Sequence, residues 1–65
     1  MNIKVIDDKR VEKRYTVTEF CNLVGIDRTT YYSLLKDPDK MKISTWQKMA
    51  DVLELTNKER KESLA

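Results

Sequence analysis

Residues Thr16 to Asp37, TVTEFCNLVGIDRTTYYSLLKD, place the only glycine of a 65-residue chain between two runs of apolar residues at helical spacing. That glycine restricts the fold more than any other feature, because it stops one helix and lets another begin three residues later. Thr16 and Glu19 form a capping box, in which the threonine hydroxyl accepts from the third helical N–H and the carboxylate reaches back. A helix is therefore expected over residues 17–24, with Phe20, Leu23 and Val24 on one apolar face. Gly25 ends it in the left-handed region, and Ile26 follows in the position that packs back onto it. Asp27 then caps a second helix over residues 28–36.

The rest of the chain repeats the helical signal. Pro38 biases Asp37 away from helical geometry, so DPDKMK reads as a loop. Ser44 with Gln47 makes a second capping box. The helix it opens carries Trp46, Met49, Ala50 and Leu53 at i, i+3, i+4 and i+7, the stripe of a core-facing helix. Thr56 with Glu59 makes a third box and opens a short charged helix ending near Leu64. Ahead of the glycine motif, Ile6, Val11 and Tyr15 permit a helix from Asp8 to Arg14, with residues 1–6 an arm or a strand. The expected fold is all-α, a compact four- to five-helix domain. Its central motif covers residues 16–36 and its C-terminal core helices residues 43–64. A chain of 65 residues has too few apolar side chains to close a second core, so residues 1–65 are expected to form one domain.

Composition removes several function classes. With no histidine and a single cysteine, neither a Cys/His zinc site nor an internal disulfide can be assembled. One glycine is too few for a phosphate-cradling loop, and Cys21 falls on the buried face, where a thiol is a poor nucleophile. Asp37 and Asp39 flank a proline in a turn, which accounts for them without catalysis. No enzyme activity, cofactor or metal is expected. No apolar run approaches the ~20 residues of a membrane span, and the N-terminus lacks a signal-peptide core. The expectation is a cytoplasmic protein with no membrane partner. The 13 basic and 11 acidic residues leave a net charge of +2, which permits nucleic-acid binding without diagnosing it.

Helical spacing turns the adjacent tyrosines of the second helix in opposite directions. Tyr31, Leu34 and Leu35 share a core face, whereas Arg28, Thr29, Tyr32 and Ser33 share the other. Two short helices joined by a tight turn, the second presented outward, form a bihelical unit. At these residues the chain resembles the Cro/lambda-repressor-like helix-turn-helix family, over about Tyr15 to Leu55. The resemblance rests on YTVTEFCNLVGIDRTTYYSLL and KISTWQKMADVLEL. It includes a small residue at Cys21, where the two helices cross, the turn glycine Gly25, and apolar Ile26, Tyr31 and Leu34 one, six and nine positions after it. Most members have alanine at the first of these, and a buried cysteine is a comparable small hydrophobe. Three positions depart from the pattern. Val17 stands where many members carry a phosphate-reaching glutamine, and Lys9 where the first helix usually buries an aliphatic residue. The family also starts the Trp46 helix near Lys42, ahead of the Ser44 box.

The resemblance implies that the second motif helix enters the major groove of duplex DNA, with Arg28, Thr29, Tyr32 and Ser33 facing the bases. The side chains suit that role on their own terms. Arg28 offers a bidentate fork to guanine, Thr29 and Ser33 supply hydroxyls, and Tyr32 stacks or reaches a phosphate. Thr16, Lys36, Lys40, Lys42 and Ser44 are expected at the phosphates, where they fix register. The basic run Lys4, Lys9, Arg10, Lys13 and Arg14 reads as a solvated helix face, with a phosphate-binding arm as the sharper option. The expected function is a small Cro-like repressor of phage or mobile-element type, with no small-molecule effector. One recognition helix covers few bases, so a homodimer, in solution or formed only on the DNA, is expected on half-sites about 34 Å apart. An excisionase-like DNA-binding protein is the nearest alternative. A protein-interaction module of antirepressor kind, built on the same scaffold, is the alternative from another class.

Overall fold

Five α-helices and no strand make up the computed structural model, which describes all 65 residues. α1 spans Ile3–Glu12, α2 Val17–Val24, α3 Arg28–Lys36, α4 Ile43–Val52 and α5 Asn57–Leu64, with a 3₁₀ turn at Pro38–Lys40. α2 packs against α3 and α4, while α1 packs against α3 and α5. No helix is long and apolar enough to cross a membrane.

Three of the helix ends are closed in one way. Tyr15 donates its N–H to the carbonyl of Arg10 (3.1 Å), Ile26 to that of Cys21 (3.0 Å) and Leu55 to that of Ala50 (3.0 Å). Each bond spans a left-handed residue: Arg14 at φ 62°, Gly25 at φ 88° and Glu54 at φ 53°. The apolar residue that follows, Tyr15, Ile26 or Leu55, packs on or into the core. This is the Schellman arrangement, which satisfies carbonyls at the helix end. Glycine is needed at only one of the three. The small left-handed basin of side-chain-bearing residues ends near φ of about 70°, and Gly25 lies beyond it. A Cβ built at Gly25 would meet nothing within 4 Å, so the requirement is conformational and not steric. Gly25→Ala is therefore expected to destabilise by about 1–2 kcal/mol, and Gly25→Asn by less. Urea unfolding of both variants checks this, and a harmless alanine would mean that the turn is not left-handed.

Thirteen buried apolar residues form one core, supplied by α1 to α4 and by Met41, Leu53 and Leu55, whereas α5 contributes none of them. Polar contacts attach α5 instead. Trp46 Nε1 donates to Ser63 Oγ (2.9 Å), and the Asn2 N–H donates to the Ser63 carbonyl (2.7 Å). Lys9 pairs with Glu59 (3.2 Å), and Arg60 reaches Asp51 (3.0 Å) while lying 5.9 Å from the Trp46 ring centre. Glu59 also completes the Thr56 capping box. The Thr56 N–H and then the Lys9 ammonium hold its carboxyl below the usual range.

Four expectations are corrected. Residues 1–6 form neither an arm nor a strand, since α1 begins at Ile3 and buries Ile3 and Ile6. Tertiary contact overrides the β-branched bias of NIKVI, because one helical turn brings both isoleucines to the core. The same helix stops at Glu12, before the expected Arg14, and leaves Val11 exposed. The Ser44 capping box does not form. Lys42 is the extended N-cap of α4, its carbonyl accepting from Trp46 N (3.0 Å), and Ser44 is already inside the first turn. Burial of Met41 fixes the helix entry there, and a capping serine would have had to be extended at the position that is helical. Finally, Leu23 is 56% exposed, whereas Phe20, Cys21 and Val24 are buried. Residues 20, 21 and 24 lie within about one third of the helix circumference, from which residue 23 is turned away.

Candidate nucleic-acid interface

α3 is locked along one side. Tyr31 is fully buried, its ring edge-on to Phe20 at 5.7 Å, and its hydroxyl donates to Asp7 Oδ1 of α1 (2.7 Å). Arg10 contacts the same carboxylate oxygen at 3.2 Å and donates from Nη1 to the Tyr15 carbonyl (2.7 Å). Burial pushes the Tyr31 phenol far above its ordinary range, and the neighbouring Asp7 adds to the shift. The hydroxyl therefore stays protonated and remains a donor. Leu34 fills the next turn of the same buried side. At the helix start Asp27 accepts from Thr30 N (2.7 Å), and Thr30 holds that carboxyl below its usual range.

The other side of α3 is free. Arg28, Thr29, Tyr32, Ser33 and Lys36 are all exposed. Their side chains make no ion pair or hydrogen bond within the protein. Arg28, Tyr32 and Lys36 follow one another at i, i+4 and i+8, with Thr29 and Ser33 alongside, so cations bracket an aromatic ring and two hydroxyls. This face carries no carboxylate.

Apart from Lys36 on α3, the expected phosphate contacts divide among three places. Lys40 lies on the 3₁₀ turn, which packs against α3, and pairs loosely with the exposed Asp37 (3.8 Å). Lys42 and Ser44 are exposed at the start of α4. No side chain caps that helix end, which leaves first-turn N–H groups free for an anion. Thr16 is committed to its capping box, accepting from Glu19 N (3.1 Å) while its own N–H reaches Glu19 Oε1 (3.3 Å). Only its hydroxyl hydrogen remains available. Acidic residues around the face are engaged: Asp37 by Lys40, and Asp39 by the N-terminal amine at 3.6 Å.

Comparison with protein families, curated proteins and solved structures gives no match. The chemistry of the face therefore rests on the residues themselves. No group of three His, Cys, Asp or Glu side chains is placed to hold a metal ion. Exposed large apolar residues number five, Val11, Leu23, Tyr32, Ile43 and Leu64, one on each helix. No single helix offers an apolar stripe, whereas α3 offers a continuous polar and cationic one. Asp7 and Arg10 were legible in the sequence only as members of a charged run, and their role in fixing α3 depends on a contact 24 residues away.

Proposed function

We propose that the chain is a sequence-specific duplex-DNA-binding transcriptional regulator of Cro/lambda-repressor-like helix-turn-helix type, reading the major groove with α3. One observation carries the reading. A short helix immobilised by Tyr31 and Leu34 presents five exposed hydrogen-bonding side chains, none of which has a hydrogen-bond or ion-pair partner in the protein. Such a face costs a folded domain nothing to leave in water, and it has the donors, acceptors and flanking cations that base edges and phosphates require. Arg28 at the first turn takes a guanine edge, with Thr29, Tyr32 and Ser33 completing the base-facing set. Lys36, Lys40, Lys42, Ser44 and Thr16 meet the backbone. The mode of regulation that fits such a face is repression by occupying the site.

The excisionase-like alternative is less well supported. Where that family places a glycine-bearing strand wing, residues 43–52 form α4. A protein-binding antirepressor would call for a concentrated apolar patch, and no helix here presents more than one large exposed apolar residue. Selection of binding sites from a random duplex pool tests the reading. Two copies of one short motif, spaced about one helical turn or roughly 34 Å apart, are expected to enrich. A bound pool indistinguishable from the input at about 0.15 M salt would refute sequence-specific recognition.

A further inference from the structure

Five basic residues lie between Lys4 and Arg14, and the fold uses three of them internally. Lys9 pairs with Glu59 (3.2 Å) and Glu12 (3.5 Å), Arg10 with Asp7 (3.2 Å) and Lys13 with Glu54 (3.4 Å). Arg14 is exposed and makes no ion pair. It also sits at φ 62°, a left-handed conformation in which glycine or asparagine is more relaxed. Glu54 occupies the equivalent place after α4 at φ 53°, but its side chain has Lys13 as a partner. The Schellman closure of α1 accounts for the conformation of Arg14, but no contact of its side chain inside the protein accounts for an arginine at that position. A long cationic side chain kept where glycine or asparagine is more relaxed, and touching nothing inside, points to a contact made outside the chain.

The local backbone is firmly held. Arg14 N donates to the Val11 carbonyl (2.9 Å), Tyr15 N to the Arg10 carbonyl (3.1 Å), and the Tyr15 carbonyl receives the Arg10 guanidinium (2.7 Å). Through Asp7, that same guanidinium is joined to the Tyr31 hydroxyl of α3. Arg14 therefore stands on a rigid link between the α3 clamp and Thr16, the N-cap of α2. Its Cα lies within about 7 Å of the Thr16 Cα, since two peptide units span no more.

We propose that Arg14 is a phosphate-contacting residue of the DNA-binding face, held by its left-handed backbone where its guanidinium grips the strand beside the start of α2. This rests on the proposed DNA-binding function. A guanidinium is suited to the task because its planar fork matches phosphate oxygens. The contact adds affinity for any duplex and carries no sequence preference.

Duplex binding by the full chain, on the selected site and on unrelated sequence and over a range of salt, tests the proposal, using Arg14→Gly and, as a charge control, Lys61→Ala. Lys61 is exposed and unpaired on α5, whose main packing partner is α1. Arg14→Gly is expected to melt at or above the wild-type temperature, because it relieves the strained φ. It should nonetheless bind both duplexes roughly five- to tenfold more weakly at 0.1 M salt, with a salt slope shallower by about one unit. Lys61→Ala should leave the slope nearly unchanged. A folded Arg14→Gly protein that binds like the wild type, or a loss equalled by Lys61→Ala, overturns the assignment of Arg14 alone. If the wild-type chain binds no duplex, the DNA-binding reading itself fails.

Discussion

Phe20→Ala is expected to leave most of the chain unfolded at 25 °C. The Phe20 ring is fully buried, 5.7 Å from that of Tyr31 and 6.5 Å from that of Tyr15, so it joins α2 to α3 and to the link before α2. Truncating a buried phenylalanine to alanine costs about 3–5 kcal/mol through lost transfer energy and the cavity left behind. A domain of this size with no disulfide has roughly 3–5 kcal/mol in all, so the substitution removes most or all of its stability. Leu23→Ala, three residues away on the solvent side, should change stability by no more than about 0.5 kcal/mol. Urea titrations followed by circular dichroism distinguish the two. Equal effects would mean that α2 is rotated from the orientation described.

The largest effect on function is expected at Arg28. Arg28→Ala should cost about 1–3 kcal/mol on the preferred site and relax discrimination at one base pair, with a smaller loss on unrelated duplex. Lys42→Ala provides the contrast, since Lys42 is likewise exposed and unpaired but stands at the start of α4. It should weaken all duplexes alike and reduce the salt slope by about one unit. Lys42 is a cleaner comparison than Lys40, whose charge is shared with Asp37. Binding isotherms on the selected site and on single-base variants of it make the measurement. If Arg28→Ala lowers affinity uniformly across those variants, Arg28 contacts phosphate and α3 lies differently in the groove. If neither substitution alters binding, α3 is not the reading element.

The boundaries of α2 and α3, and the start of α5, follow from the chain read in order. Thr16 and Glu19, Gly25 and Ile26, Asp27 and Thr30, and Thr56 and Glu59 interact at most five residues apart along the chain, including the bonds each closes. Such contacts form wherever the local backbone is helical, so the residue types alone announce them. The same locality makes the outer face of α3 legible: helical spacing separates Tyr31 from Arg28, Thr29, Tyr32 and Ser33 once the helix is granted. The Ser44 box shows where local chemistry is not enough. Its residues were suitable, but the burial of Met41 moved the helix start to Ile43.

What the order of residues left open was decided by contacts between distant segments. α1 is helical from Ile3 because Ile3 and Ile6 find the core and because Asn2 and Lys9 meet Ser63 and Glu59 of α5. Ser63, in a helix that reads as polar throughout, is fully buried because Trp46, 17 residues earlier, requires an acceptor for its indole N–H. Asp7 fixes the orientation of α3 from 24 residues away through the Tyr31 hydroxyl. Nothing in the spacing of residues 10–15 marks Arg14 as left-handed, since arginine has no preference for that conformation and only the closing of α1 against its neighbours imposes it. Local hydrogen bonds and periodicity set which segments are helices. Burial and long-range polar pairing set where they end, how they are rotated, and which charges remain free to meet a partner.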